Sequence, residues 1–160
     1  GEPVREGESG ELVFTSLTKE AMPVIRYRTR DLTCLLPPTA RSMRRIGKIT
    51  GRSDDMLIIR GVNLFPTQVE ELVLKMPELA PQYQLVVTRE GNLDALEVLT
   101  ELRSECGHLS EDERAAIGKR LGHSLKNYVG ISARITIQPP GQVERTLTGK
   151  ARRVIDKRPR

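Results

Sequence analysis

The chain has 160 residues, of which 38% are hydrophobic and 29% are charged, and its formal net charge is +5. A chain of this length holds one ordinary domain, or a small domain with a piece of another. It contains no apolar run near the ~20 residues that a transmembrane helix requires. It opens with Gly1 instead of Met and enters an extended stretch almost at once, so we expect it to belong to a longer protein.

Residues 1–51 are predicted to be β-rich. Short apolar stretches at 12–17, 24–27 and 32–36 are separated by prolines, and none of them follows a helical period. The segment has too few apolar residues to bury a core of its own. We therefore predict that it forms the edge of a neighbouring domain.

The pattern of the remaining chain is typical of an α+β domain. A short apolar strand ends at Arg60, and a turn at Gly61 leads back to Pro66, which favours the first turn of a helix. Two strands follow, then a second helix begins at Ser110 and a strand alternates over residues 131–137. We predict a small sheet with two covering helices, similar to a ferredoxin-like layout.

The two cysteines, Cys34 and Cys106, are far apart and neither belongs to a CxxC pair. Unpaired thiols are typical of proteins from a reducing compartment, so we predict a cytoplasmic location. Cys106 lies close to His108, but no second pair of metal ligands accompanies them. We predict no metal site.

The positive charge is concentrated at the C-terminus. Between Gln142 and Arg160 there are seven basic and two acidic residues, so this tail carries the whole net charge of +5. Such a tail suits a nucleic-acid partner, but it suits a nucleotide phosphate equally well. Composition leaves both interpretations open.

Three polar clusters, at residues 26–31, 51–66 and 145–154, can carry chemistry. In the first, a carboxylate after a basic strand can accept two hydrogen bonds from a ribose diol while arginines face phosphates. In the second, Gly61 allows a ligand to pass close to the backbone. In the third, Lys150 is a well-presented cation, although it lacks the spacing of a phosphate loop. Taken singly, the clusters also fit an exposed edge strand, a plain hairpin and a surface lysine.

Together, the clusters resemble the conserved-motif series of the acyl-adenylate-forming superfamily, in both order and spacing. Within it, residues 26–33 (RYRTRDLT) followed by residues 51–66 resemble the phenylacetate–CoA ligase group. The resemblance covers nearly the whole chain. The long middle cluster is the most specific part, and the lysine cluster alone is less so.

The resemblance implies a role for five residues. Asp31 matches the aspartate that binds the ribose hydroxyls of ATP, and Arg52 matches an arginine that also contacts the nucleotide. Asp54 matches the hinge residue of the small domain, and Gly61 matches the glycine beside which the pantetheine arm of CoA passes. Lys150 matches the catalytic lysine that bridges the acyl carboxylate and the α-phosphate during adenylation.

The implied enzyme uses ATP with Mg²⁺ and then CoA in two half-reactions, acting on phenylacetate or another aryl acid. Residues 1–51 would end its large N-terminal domain, residues 52–55 would be the hinge, and residues 56–160 would be a swinging lid. The phosphate loop and the acyl pocket would lie in the remainder of the N-terminal domain, so the chain alone is expected to be inactive. Its own N-terminal domain is the expected partner, with a homodimer left open, and no nucleic acid or membrane is expected.

One departure from the family pattern and one alternative interpretation stand beside these expectations. Asn63 stands where many superfamily members carry a basic residue, which argues against a charge contact to CoA there. An RNA-binding module is the alternative from a different class, because a ferredoxin-like sheet and a basic tail are compatible with it. However, such modules stack bases on strand aromatics, and this chain has only three Tyr and two Phe.

Overall fold

The computed structural model describes residues 1–145 and 152–159. They form two compact units, Gly1–Met56 and Leu57–Arg160. The helices are α1 (Pro66–Leu74) and α2 (Glu111–Val129), with a short 3-10 helix at Ser104–Cys106. The strands are β1 (Gly10–Phe14), β2 (Tyr27–Thr33), β3 (Leu35–Leu36), β4 (Arg45–Ile46), β5 (Gly51–Arg52), β6 (Leu57–Ile59), β7 (Val62–Leu64), β8 (Leu79–Glu90), β9 (Leu93–Leu102), β10 (Arg134–Gln138) and β11 (Val154–Asp156).

The first unit is all-β. Strands β1, β2 and β5 form an antiparallel sheet in that order, and β3 pairs with β4. None of the apolar side chains in this unit is buried. On β1 and β2 the rings of Phe14 and Tyr27 lie 5.6 Å apart, and about half of each side chain is exposed. The unit therefore has strands but no hydrophobic core of its own.

A bulge interrupts the pairing of β1 with β2. Glu11 lies opposite Leu32 and Val13 lies opposite Arg28, so residues 29–31 of β2 face a single residue of β1. At the centre of the bulge Arg30 adopts a left-handed φ of 69°, which is uncommon for a residue with a side chain. Bulges re-aim side chains and often lie beside active sites.

The second unit begins with the hairpin of β6 and β7. Its two turn residues, Arg60 and Gly61, both have positive φ, at 51° and 78°. Two consecutive left-handed residues are characteristic of a type I′ turn, whose twist matches that of the flanking strands. The glycine takes this conformation without strain, whereas the arginine does not.

The main sheet has the strand order β10-β9-β8-β11. The long central strands β8 and β9 are antiparallel, and each outer strand runs parallel to its neighbour. Both helices pack on this sheet and against each other, and the buried side chains between them form the core: Val69, Leu72 and Val73 of α1, Leu85, Val87 and Val98 of the sheet, and Ile117, Leu121 and Leu125 of α2. Burial of each such side chain is worth about 1.5–3 kcal/mol. The predicted α+β class, with two helices covering a small sheet, is confirmed.

The second helix has the ends that its sequence predicts. The Ser110 hydroxyl accepts a hydrogen bond from the Glu113 N–H, and the Glu113 carboxylate accepts one from the Ser110 N–H. Gly130 closes the helix with a φ of 86°. Among the described residues, no helix is both long and apolar enough to cross a membrane.

Candidate functional site

The bulge of β2 brings Asp31 beside Arg52. The two residues are paired in register between β2 and β5, with 3.7 Å between Asp31 Oδ1 and Arg52 Nη1. The Asp31 side chain is 26% exposed, and apart from this ion pair its carboxylate has no hydrogen-bond partner among residues 1–145 and 152–159. Oδ1 faces Arg52 at a distance too long for a hydrogen bond, so both oxygens of Asp31 can still accept hydrogen bonds from a ligand.

Arg52 is held by Asp54 in a two-point contact. Arg52 Nε lies 3.0 Å from Asp54 Oδ1, and Nη2 lies 2.9 Å from Oδ2. The hydrogen bonds from Arg52 lower the pKa of the Asp54 carboxyl, and those same bonds raise the pKa of Arg52. Asp55 adds a third carboxylate 3.7 Å from Arg52 Nε. The carboxylates gathered around Arg52 can accept hydrogen bonds from hydroxyl donors such as those of ribose.

The turn that carries Asp54 is tied to the bulge. The Ser53 N–H donates to the Arg30 carbonyl at 2.8 Å, and the Asp55 N–H donates to the Arg52 carbonyl at 3.3 Å. The boundary between the two units falls just beyond this turn, between Met56 and Leu57. Asp31, Arg52 and Asp54 thus meet in the first unit, at the end nearest in sequence to the second.

Gly61 lies in the second unit, at the exposed tip of the β6–β7 hairpin. Apart from the two chain neighbours, a Cβ placed on it would meet no atom of the described residues within 4 Å. Arg60 Nε donates to the Asp94 carbonyl at 2.6 Å, and Arg158 Nη1 donates to the Ile58 carbonyl at 3.0 Å. These contacts fix the hairpin to β9 while leaving its tip open.

Asp94 links the two arginines that hold the hairpin in place. Its carboxylate lies 3.0 Å from Arg89 Nε and 2.9 Å from Arg158 Nη1, and its side chain is only 12% exposed. The pKa of the Asp94 carboxyl is lowered, mainly by the hydrogen bond from Arg89 and further by the hydrogen bond from Arg158. Sequence analysis missed this network because its members are scattered along the chain.

Lys150, the predicted catalytic lysine, lies outside the described residues. Sequence analysis also missed Glu101, a carboxylate of β9 that is only 1% exposed and accepts hydrogen bonds from the residues preceding the lysine segment. Its only signal was a charge within an otherwise apolar part of a strand. Among residues 1–145 and 152–159, no three His, Cys, Asp or Glu side chains are arranged to hold a metal ion.

Comparison with known proteins identifies the family. The family model described as the AMP-binding enzyme C-terminal domain matches residues 61–158, more than half of the chain. The chain belongs to this family.

Individual relatives of this AMP-binding enzyme C-terminal domain agree with the motif resemblance. Phenylacetate-coenzyme A ligase of Aromatoleum evansii is 60% identical over the whole chain, and the corresponding enzyme of Escherichia coli K12 is 55% identical over 99% of it. The chain spans 37% and 36% of the lengths of these two relatives, just over a third. Among solved structures, 2-hydroxyisobutyryl-CoA ligase in the postadenylation state, in complex with R3-HIB-AMP, is 29% identical over 96% of this chain and 33% of its own, with a TM-score of 0.84.

The family assignment confirms the resemblance found in the sequence motifs and disfavours the RNA-binding interpretation. In the described strands of the main sheet the only aromatic residue is Tyr83, which is 2% exposed and faces the helices. An RNA-binding sheet needs exposed aromatics on which bases can stack. The roles of the five site residues stay predictions.

Proposed function

We propose that this AMP-binding enzyme C-terminal domain is part of an acid–CoA ligase that activates phenylacetate or a similar aryl acid. The observation that carries the proposal is the 60% identity, over the whole chain, to a phenylacetate-coenzyme A ligase. In the first half-reaction a carboxylate oxygen attacks the α-phosphorus of MgATP and pyrophosphate leaves. In the second, the CoA thiol attacks the acyl carbon, loses its proton, and displaces AMP.

Asp31 and Arg52 serve the nucleotide. The open carboxylate of Asp31, presented by the bulge, accepts hydrogen bonds from both ribose hydroxyls. Arg52 uses Nε and Nη2 for Asp54, and Nη1, which lies 3.7 Å from Asp31 Oδ1, is the nitrogen that contacts the nucleotide. The triphosphate with its Mg²⁺ and the acid bind mainly to the part of the enzyme outside this chain.

Asp54 is the hinge between the half-reactions. The first unit continues the large N-terminal domain, and the second unit is the lid, which turns about residues 52–55. The support for this role is that the boundary between the two compact units lies within three residues of Asp54. A few residues at the end of an element are enough to absorb such a rotation.

Gly61 and Lys150 serve one half-reaction each. For adenylation the lid presents Lys150, whose ammonium offsets the charge that develops between the acyl carboxylate and the α-phosphate. For thioester formation it presents the hairpin tip, where the missing side chain of Gly61 leaves room for the pantetheine arm. Asn63, two residues further along the hairpin, is neutral, so CoA contacts there rely on shape and hydrogen bonding.

The test uses the full-length enzyme that contains this chain. Acid-dependent release of pyrophosphate from ATP is measured first, across phenylacetate, other aryl acids and short aliphatic acids, and thioester formation is then measured after adding CoA. We expect an aryl acid to be preferred and the 160-residue chain alone to release no pyrophosphate. Turnover by the isolated chain, or an absence of acid-dependent pyrophosphate release by the full-length enzyme, would contradict the proposal.

A further inference from the structure

The carboxylate of Glu101 is buried in the second unit but has no part in the reaction described above. It extends from β9 toward the sheet face opposite the helices, because it alternates with the core residues Val98 and Leu102. Its side chain is 1% exposed. Burying a carboxylate is costly unless hydrogen bonds and an opposite charge compensate, so its partners indicate why it is there.

Both oxygens of Glu101 bind the same short segment of chain. Oε2 accepts a hydrogen bond from the Val143 N–H at 2.9 Å, and Oε1 accepts one from the Arg145 guanidinium. Between them, Glu144 receives a hydrogen bond from Gln84 of β8 at 3.3 Å. Val143 itself is only 4% exposed. Residues 143–145 are therefore fixed on the sheet, and Glu101 accepts two of these three hydrogen bonds that hold them.

A second anchor follows a few residues later. The Arg153 carbonyl accepts a hydrogen bond from the Leu85 N–H at 2.8 Å, just before β11 pairs with β8. The Arg153 guanidinium lies 4.5 Å from the ring centre of Tyr83 and 3.5 Å from the Glu70 carboxylate. Lys150 is one of the residues that lie between these two anchors in the sequence.

We propose that Glu101 is a positioning residue for Lys150: it fixes the N-terminal end of the segment that carries the catalytic lysine. The inference rests on the proposed function of Lys150. A segment held at both ends samples far fewer placements than one held at a single end. Positioning errors of about 1 Å can cost roughly 10²-fold in rate, so loss of one anchor should be visible in adenylation.

The test compares Glu101→Gln with Glu97→Gln in the full-length enzyme. Glutamine keeps the size of Glu101 but loses its charge, so it can no longer accept from both Val143 and Arg145. Glu97 is the matched control because it lies on the same strand and face, yet binds Thr136 instead. For Glu101→Gln we expect kcat of acid-dependent pyrophosphate release to fall roughly 10- to 100-fold, with little change in KM for ATP. Thioester formation from supplied acyl-adenylate should stay near the unsubstituted rate, and Glu97→Gln should change neither half-reaction.

A second variant and a second measurement distinguish loss of positioning from misfolding of the Glu101→Gln enzyme. Arg145→Gln removes the other half of the contact from a side chain that is 56% exposed, so it should fold and show the same selective defect. The rate at which an amine-acylating reagent modifies Lys150, measured by mass spectrometry, should change in both variants but not in Glu97→Gln, whether or not the enzyme turns over. Equal loss of both half-reactions, or unchanged adenylation and unchanged labelling, would overturn the proposal. The unsubstituted enzyme tests the proposed function separately, through its own pyrophosphate release.

Discussion

At the residue scale, the charged groups of the first unit differ in how far their hydrogen-bonding capacity is used within the protein. Arg52 and Asp54 satisfy each other through two hydrogen bonds, whereas the Asp31 carboxylate on the neighbouring strand makes only a 3.7 Å ion pair with Arg52 among the described residues. Lys150 is a further charged residue with an assigned role. Its proposed function is confined to one half-reaction, which makes it the most discriminating residue to substitute.

We expect Lys150→Ala to impair adenylation and to spare thioester formation. Removing one preorganised donor from a developing charge typically costs roughly 2.7–4 kcal/mol, or about 10²- to 10³-fold in rate. The measurement gives the full-length variant either acid with ATP or ready-made acyl-adenylate, each with CoA. Lys157→Ala, which removes an exposed lysine of the same tail, is the control. Equal defects in both assays would mean that Lys150 supports folding or general nucleotide binding.

At the element scale, the β6–β7 hairpin depends on a network outside its own strands. Arg60 and Arg158 bind it to β9 through the carbonyls of Asp94 and Ile58, and the Asp94 carboxylate holds Arg158 in place. The stability of this element therefore depends on the charge of one carboxyl group.

We expect Asp94→Asn to destabilise the second unit in a pH-dependent way. The pKa of Asp94 is lowered by folding, so its charge stabilises the folded state above the unfolded pKa of about 3.9 and ceases to do so as the pH falls through the folded pKa. The loss in free energy of unfolding should be constant near neutral pH and shrink below about pH 4. Urea unfolding followed by circular dichroism measures it, since both helices belong to this unit. Glu90→Gln, at the exposed end of β8, is the control, and a pH-independent loss would contradict the prediction.

The elements that could be predicted from the sequence are those with local signals. The second helix has a capping box, a closing glycine and one apolar face, all within twenty or so residues, and each is present in the structure. Strand β11 has no such signal, because its three residues lie among arginines and lysines and are defined only by pairing with β8. The bulge at residues 29–31 is equally hidden, since it depends on the register with β1. Motif resemblance named Asp31, but only the paired strands explain why its carboxylate is open.

At the scale of the whole molecule, the two units differ in how they are stabilised. The second has a continuous buried core, while the first exposes Val13, Phe14, Ile25 and Tyr27 by between 46% and 73%. An exposed apolar sheet without a core of its own is typical of a surface that another part of the protein covers.

We expect the remainder of the full-length enzyme to protect β1. Backbone amides of residues 10–14 should exchange with deuterium much more slowly in the full-length protein than in the isolated chain. No helix of the first unit covers this strand, so its backbone hydrogen bonds should open readily in the isolated chain. Low burial therefore predicts weak protection of these amides from exchange. Strand β8, which packs in the core of the second unit, is the internal control. Its amides should exchange at the same rate in the full-length protein and in the isolated chain. Strong protection of β1 in an isolated chain that is proven to be monomeric would contradict the prediction.

We expect Asp54→Pro to affect the two half-reactions of the full-length enzyme unequally. Proline fixes φ, so it restricts the rotation that would carry the lid from one orientation to the other. Asp54→Ala is the control, because it removes the contact with Arg52 but leaves the backbone free to turn. If both half-reactions fell by the same factor in the proline variant, Asp54 would be a structural position and not the hinge.

The open space around Gly61 allows the proposed passage of CoA at this position to be tested by adding a single methyl group. Apart from its two chain neighbours, a methyl group there has no described atom of the protein within 4 Å, so Gly61→Ala costs only the strain of a left-handed alanine, roughly 1–2 kcal/mol. That cost is the same with and without substrate. Any additional loss in thioester formation, beyond the change in stability measured by unfolding, would then come from the methyl group meeting CoA itself. Comparing the two losses would thus test whether the pantetheine arm passes the hairpin tip, as proposed for Gly61.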